Sequence, residues 1–217
     1  MNFKDFVAGK RIAAVGPAPS VIGSKQKESI DGYDLVMRFN KACPVPSEVV
    51  ADTGNRCDII CNCLEPMAKS GGHLDPNIWK TNGVKWVLSA YPKDVWFNKG
   101  HAANFQRKLG NRLPMEFPPD KEYVDFQTSL GTRPNSGLCG IWYLLSLPIK
   151  EIYVTGFTFG RGGYHKGYFD TISPEQYEKL ANGPHHKQEP QRLYFKKLLA
   201  NEPRLKVDEP MRAIIEE

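Results

Sequence analysis

The stretch RIAAVGPAPSVIGSKQKESIDGYDLVMRFN, residues 11–40, holds two apolar runs, RIAAVG and DLVMRFN, on either side of a loop rich in Gly, Pro and Ser. Neither run alternates strictly between apolar and polar, so each suits a strand covered on both faces, as in a parallel sheet between layers of helix. Outward from it the same signal recurs in CDIICN (57–62), VKWVLSAY (84–91), EIYVTGF (151–157) and LKVD (205–208). Between these runs, residues 93–109, SGLCGIWYLLSL (136–147) and EPQRLYFKKLLAN (189–201) read as helices. In SPEQYEKLANG, Ser173 with Gln176 three residues later forms a capping-box signal. The alternation predicts an α/β fold with a mostly parallel sheet and helices on both faces, Rossmann-like, in one domain over residues 1–217.

Composition narrows the class. The formal charge of +5 comes from 29 basic residues scattered among 24 acidic ones, and no aromatic RNA-binding box or zinc-finger spacing is present, so nucleic acid is not expected as a partner. No run is apolar for long enough to span a bilayer. The five cysteines have no paired spacing, which favours a reducing, cytoplasmic setting. Cys57, Cys61 and Cys63 would share one strand face with Ile59, where a small buried hydrophobe is a simpler reading than a metal ligand.

Folds of this class bind ligands beyond the carboxyl ends of their strands. Three of the loops there carry an asparagine: Asn40, Asn62 and Asn135. Each offers a donor and an acceptor, as a base or a sugar needs, although asparagine also serves ordinary turns. Gly16 follows the first run, but neither G-x-G-x-x-G nor the P-loop pattern is present. Ser136 and Gly137 open an apolar helix, a place for an anion or simply for an N-cap.

The order of these pieces resembles the eukaryotic-type sialyltransferases of glycosyltransferase family 29. Residues 13–42, with Ile30, Asp31, Asp34, Val36, Arg38 and Asn40, are similar to that family's long motif, continued by DTGNRCDIICNC (52–63). Pro134, Ser136 and Gly137 match the P-x-S-G core of its short motif in residues 133–157. YHKGYFD (164–170) resembles the third motif and HHKQEPQRLYFKKL (185–198) the very short one. A weaker likeness to the bacterial sialyltransferases of family 42 runs through the same loops. Residues 66–132 match nothing.

The resemblance implies a GT-A-variant glycosyltransferase fold and a donor of CMP-linked sialic acid. It also implies a glycan acceptor and no metal or other cofactor. It places Gly16, Ser20, Asn40, Asn62, Asn135, Ser136, Gly137, Gly156 and Tyr164 on the donor. His186 is implied as base, with His185 as the other candidate, and His165 with Tyr168 serve the departing phosphate. No D-x-D run occurs; Asp120 and Glu122 come nearest, in what reads as a Pro-rich loop.

Departures accompany the likeness. Ile12 and Pro148 stand where membrane-anchored members carry a disulfide, consistent with a cytoplasmic enzyme. Pro17 replaces a frequent Asn, and counting H-x-x-x-x-E from His186 reaches Gln191, with Glu189 early. These departures keep a catalytically silent CMP-binding protein open, and a CMP-Kdo-dependent transferase stays open because motifs that hold CMP and a carboxylate do not determine the rest of the sugar. The acceptor pocket is expected from residues 66–132, where Tyr91, Trp96, Phe97 and His101 could stack on a sugar or simply fill the core.

Overall fold

The structure is a computed structural model that describes residues 1–67, 70–170, 173–181, 183 and 186–217. In chain order its strands are β1 (Arg11–Val15), β2 (Leu35–Phe39), β3 (Ile59–Asn62), β4 (Trp86–Ser89), β5 (Met115–Glu116), β6 (Glu151–Thr155) and β7 (Leu205–Val207). They form one sheet in the order β5-β4-β3-β2-β1-β6-β7, and every neighbouring pair is parallel.

Alternate residues of each strand feed opposite cores, which is why the runs are apolar throughout. Ile12, Ala14, Met37, Ile59, Leu88 and Ile152 enter the larger core. Ala13, Val15 and Val36, with Ile60 and Val87, face the other side. The larger core is closed by α1 (Phe3–Val7), α6 (Asp120–Leu130), α7 (Ser136–Leu145), α9 (Gln188–Asn201) and α10 (Glu209–Glu216), through Phe3, Phe126, Ile141, Phe195 and Met211. The opposite side is covered by α2 (Lys27–Asp31), α4 (Pro76–Thr81) and α5 (Lys99–Leu109), through Ile30, Trp79 and Phe105. The fold is thus an α/β, Rossmann-like one. Two short helices remain, α3 (Val50–Thr53) and α8 (Pro174–Ala181).

Local signals decide several helix starts. Asn135 caps α7 by accepting from the Leu138 N–H at 2.9 Å. The capping box at α8 is reciprocal: the Gln176 N–H donates to Ser173 Oγ at 3.3 Å, and the Ser173 N–H donates to Gln176 Oε1 at 2.9 Å.

The structure corrects three expectations. The helix read over residues 93–109 begins only at Lys99. Asn98 stops it from starting earlier by donating its amide to the carbonyls of Tyr91 and Pro92 at 3.1 and 2.8 Å, which ties the preceding turn to the end of β4. Asp120 and Glu122 lie not in a loop but in the first turn of α6, where carboxylates complement the helix dipole. Cys57 does not share a face with Ile59 and Cys61, because it precedes β3 and packs in the opposite core with Ile60.

Candidate functional site

β1 has β2 on one side and β6 on the other, and the chain runs outward from it in both directions. Such a reversal opens a crevice at the strands' carboxyl ends. Here the loops leaving β1 and β6 nearly touch. The Gly16 N–H donates to the Thr155 carbonyl at 2.8 Å and the Ala18 N–H to the Gly156 carbonyl at 3.0 Å. Gly156 has φ +75°, and a Cβ on Gly16 would lie 2.2 Å from the Gly156 carbonyl oxygen. Two side-chain-free residues are what let the loops cross at this distance.

Above the crossing lies a cavity of about 910 Å³. Of the residues expected on the donor or in catalysis, Asn40, Asn135, Ser136, Gly137, Gly156, Tyr164, Tyr168 and His186 line it. Gly16 and His165 instead border a small pocket of about 10 Å³ on the other side of Tyr168. Ser20 sits half-buried in a 3-10 turn and does not line the cavity, nor does Asn62. His185 lies outside the described residues.

The three asparagines turn out to differ in kind. Asn62 is fully buried. Its amide donates to the carbonyls of Asn40 and Gly71 at 3.1 and 3.0 Å, and its Oδ1 accepts from the Leu64 N–H at 2.7 Å. It thereby fastens the loops after β2 and β3 to each other. Asn40, in the left-handed conformation at φ +51°, accepts from the Cys63 N–H at 3.1 Å and reaches the cavity wall. Asn135 spends its Oδ1 on the α7 cap, which leaves the first-turn residues Ser136 and Gly137 at the wall, where a helix N-terminus favours negative charge. A side chain at Gly137 would not fit, since its Cβ would lie 2.3 Å from Phe157 Cε1.

His186 is held from two sides. Its Nδ1 lies 2.9 Å from the Arg133 carbonyl oxygen, so Nδ1 carries the proton and donates. Its Nε2 is then the acceptor, 3.3 Å from Arg133 Nη2. Arg133 itself lies 4.7 Å over the Phe97 ring, a stack suited to a guanidinium. Sequence reasoning did not pick out Arg133; its place just before the P-x-S-G core was the one available hint. Gln191, at the position where the resemblance leads one to look for Glu, is fully buried. It accepts from the Asn135 N–H at 2.9 Å and donates to the Lys187 carbonyl at 3.1 Å, so it locks α9 to the start of α7.

Aromatic rings form the opposite wall. The Tyr164 ring packs, tilted, against Tyr168 and Tyr177 at centroid distances of 4.7 and 4.4 Å. Burial pushes the phenols of Tyr164 and Tyr168 well above the ordinary tyrosine range, so both stay protonated, and the Tyr168 hydroxyl donates to the Phe39 carbonyl at 3.4 Å. Lys41 Nζ lies 3.9 Å over Phe169 and 5.1 Å over Tyr168. His165 is buried with Nδ1 2.8 Å from the Lys166 carbonyl oxygen, and its ring packs at 6.0 Å on Tyr168. Its contact is with Tyr168 rather than with the cavity.

Among the described residues no group of three His, Cys, Asp or Glu is placed to hold a metal ion, and no helix is long and apolar enough to cross a membrane. No protein-family model and no curated protein matches the chain. Solved structures do. The sialyltransferase CstII from Campylobacter jejuni, in complex with a substrate analogue, CMP-3FNeuAc, aligns with a TM-score of 0.59 at 15% identity, covering 91% of this chain and 81% of that one. A mammalian sialyltransferase in complex with Gal-beta-1-3GalNAc-ortho-nitrophenol aligns with a TM-score of 0.51 at 16% identity, covering 95% and 72%. The seven-stranded parallel sheet and its helical layers therefore build the fold that these sialyltransferases share.

Proposed function

We propose that the chain is a glycosyltransferase that moves a sialic acid, or a related 2-keto sugar acid, from its CMP-linked form to a glycan hydroxyl. The observation that carries this reading is the pairing, in one cavity, of an oriented imidazole with a helix N-terminus and buried phenols. His186 has its Nδ1 proton committed to the Arg133 carbonyl, which leaves Nε2 to take a proton from an attacking hydroxyl. As the acceptor oxygen bonds to the anomeric carbon, the bond to the phosphate oxygen breaks and CMP leaves with the electron pair. The Arg133 contact to Nε2, at 3.3 Å, yields to the acceptor hydroxyl.

The transition state is oxocarbenium-like, and negative charge grows on one phosphate. Hydrogen-bond donors can stabilise that charge without a metal ion. Tyr168 and Tyr164 would donate as neutral phenols, while Ser136, Gly137 and the α7 N-terminus would face the donor's carboxylate or ribose. Asn40 would contact the nucleotide directly. Asn62 would act through Asn40, and His165 by supporting Tyr168. Family 29 membership and a cytoplasmic setting remain parts of the same proposal.

The test is release of CMP from CMP-Neu5Ac by the folded chain with galactosides present, with and without EDTA. Turnover insensitive to EDTA supports the reading. A parallel arm with CMP-Kdo decides the sugar, since contacts to CMP and a carboxylate do not. CMP binding by calorimetry with no turnover of either donor would mean a non-catalytic nucleotide-binding protein and would sink the proposal.

A further inference from the structure

Two of the five cysteines meet in the core beside α4 and α5, and the transferase reading uses neither. Cys43 lies in the loop after β2 and Cys57 just before β3. They are 6% and 3% exposed and share one apolar cluster with Ile60 and Leu64. The Cys57 thiol is shared between the Ile59 carbonyl oxygen, 3.6 Å away, and the Cys43 sulfur, to which it hydrogen-bonds. Beside the pair is Arg38, 3% exposed. Its Nε donates to the Arg56 carbonyl at 2.7 Å, and its Nη2 donates to the carbonyls of Thr53 and Gly54 at 2.6 and 2.9 Å. Among the described residues it forms no ion pair with a carboxylate. A guanidinium stays charged even when buried, so both thiols feel a fixed positive charge that only backbone carbonyls attend.

The other cysteines are placed differently. Cys61 and Cys139 are fully buried in the larger core, and Cys63 packs against it. Burial pushes the thiols of Cys57, Cys61, Cys63 and Cys139 upward. For Cys43 the hydrogen bond from Cys57 lowers the thiol, burial opposes this, and the Arg38 charge adds to the lowering. One thiol eased toward thiolate, with its neighbour held protonated, is the asymmetry of a dithiol that oxidises in a fixed order.

We propose that Cys43 and Cys57 form a redox-modification site outside the cavity, oxidised by hydroperoxides and closing to a disulfide. Cys43 attacks one peroxide oxygen as thiolate. The O–O bond breaks, and the departing hydroxide takes up the proton that the thiol released. The sulfenic acid then condenses with Cys57, whose proton goes to the sulfenic oxygen as water leaves and the S–S bond forms. Two thiols are oxidised and one hydrogen peroxide becomes two waters. The bond closes residues 43–57, the segment whose carbonyls hold Arg38, into a covalent loop that begins three residues after Asn40 on the cavity wall.

The folded chain is treated with hydrogen peroxide, its remaining thiols are blocked with N-ethylmaleimide in urea, and unreduced peptides are mapped by mass spectrometry. The Cys43–Cys57 disulfide should form first, about tenfold faster than any change at Cys61 or Cys139, and dithiothreitol should restore both thiols. In Cys57→Ala, Cys43 should stop at the sulfenic acid and be captured by dimedone, with far-UV circular dichroism as the check that the variant folds. The mapping itself uses the unsubstituted chain, so it decides the matter even where the variant does not fold. The assignment is overturned by five thiols still free after a treatment that oxidises the urea-unfolded chain. A first disulfide that includes Cys61, Cys63 or Cys139, or five thiols reacting at one rate, overturns it equally. None of these readouts involves a CMP-linked donor, so this site and the transferase stand or fall separately.

Discussion

Two histidines of this chain, His165 and His186, have different partners, and the backbone around each decides it. His186 is oriented by the Arg133 carbonyl, whereas His165, in the loop after β6, is turned toward Lys166 and packed on Tyr168. Replacing His186 with Ala should lower the transfer rate about a thousandfold, the usual worth of a positioned general base, while calorimetry finds CMP affinity nearly unchanged. Near-normal turnover would move the role to His185. His186 was legible as a candidate only through the resemblance of residues 185–198 to the very short motif, since a histidine pair before a helix reads by itself as solvated. Its Arg133 clamp was not, because 53 residues separate the two and only the fold brings them together.

At the scale of elements, helix α10 shows how one buried cation anchors a short terminal segment. Arg192 on α9 is 7% exposed. It donates to the carbonyls of Ile215 and Ile214 at 3.0 and 3.5 Å, and to both carboxylate oxygens of Glu189 at 2.7 and 2.9 Å. The last carbonyls of a helix have no partner within it, so Arg192 does for α10 what a cap would. Arg192→Met should cost about 2 kcal/mol, read as a lower urea midpoint, with faster amide exchange in α10 ahead of the rest. Exchange that accelerates uniformly would show that α10 has no separate anchor. The α8 and α7 caps were readable because Ser173, Gln176 and Asn135 act within three residues. α5 was begun too early because Asn98 bonds back to Tyr91 and Pro92, a contact no local pattern shows, and α6 was read as a loop because it opens behind two prolines.

For the whole molecule the decisive place is the crossing of the loops from β1 and β6. Gly156→Ala adds a Cβ at φ +75° that would lie 2.3 Å from the Gly16 carbonyl oxygen. Left-handed strain together with overpacking should cost about 3 kcal/mol, visible as a lower unfolding midpoint, and should weaken CMP binding because the cavity floor shifts. Unchanged stability would mean that the two loops separate freely and that the crossing does not hold the floor in place. Such an outcome would also weaken the case for a preformed donor site.

By itself the sequence determined the layer architecture, since strands that bury both faces must be apolar at every position, and that pattern survives without any knowledge of partners. Six of the seven strands lie within the runs it marked; β5, with two residues, is too short to carry a pattern. It also determined the candidate chemistry, since imidazoles, phenols and asparagines are visible by type. Tertiary structure alone decided which of them share a cavity. Asn40 and Asn62 look alike as letters, yet one reaches the wall and the other is consumed by backbone carbonyls on two loops. Hydrogen-bond satisfaction is a property of the surroundings, and those surroundings include residues 9, 22 and 23 positions distant, which no local reading of the chain contains.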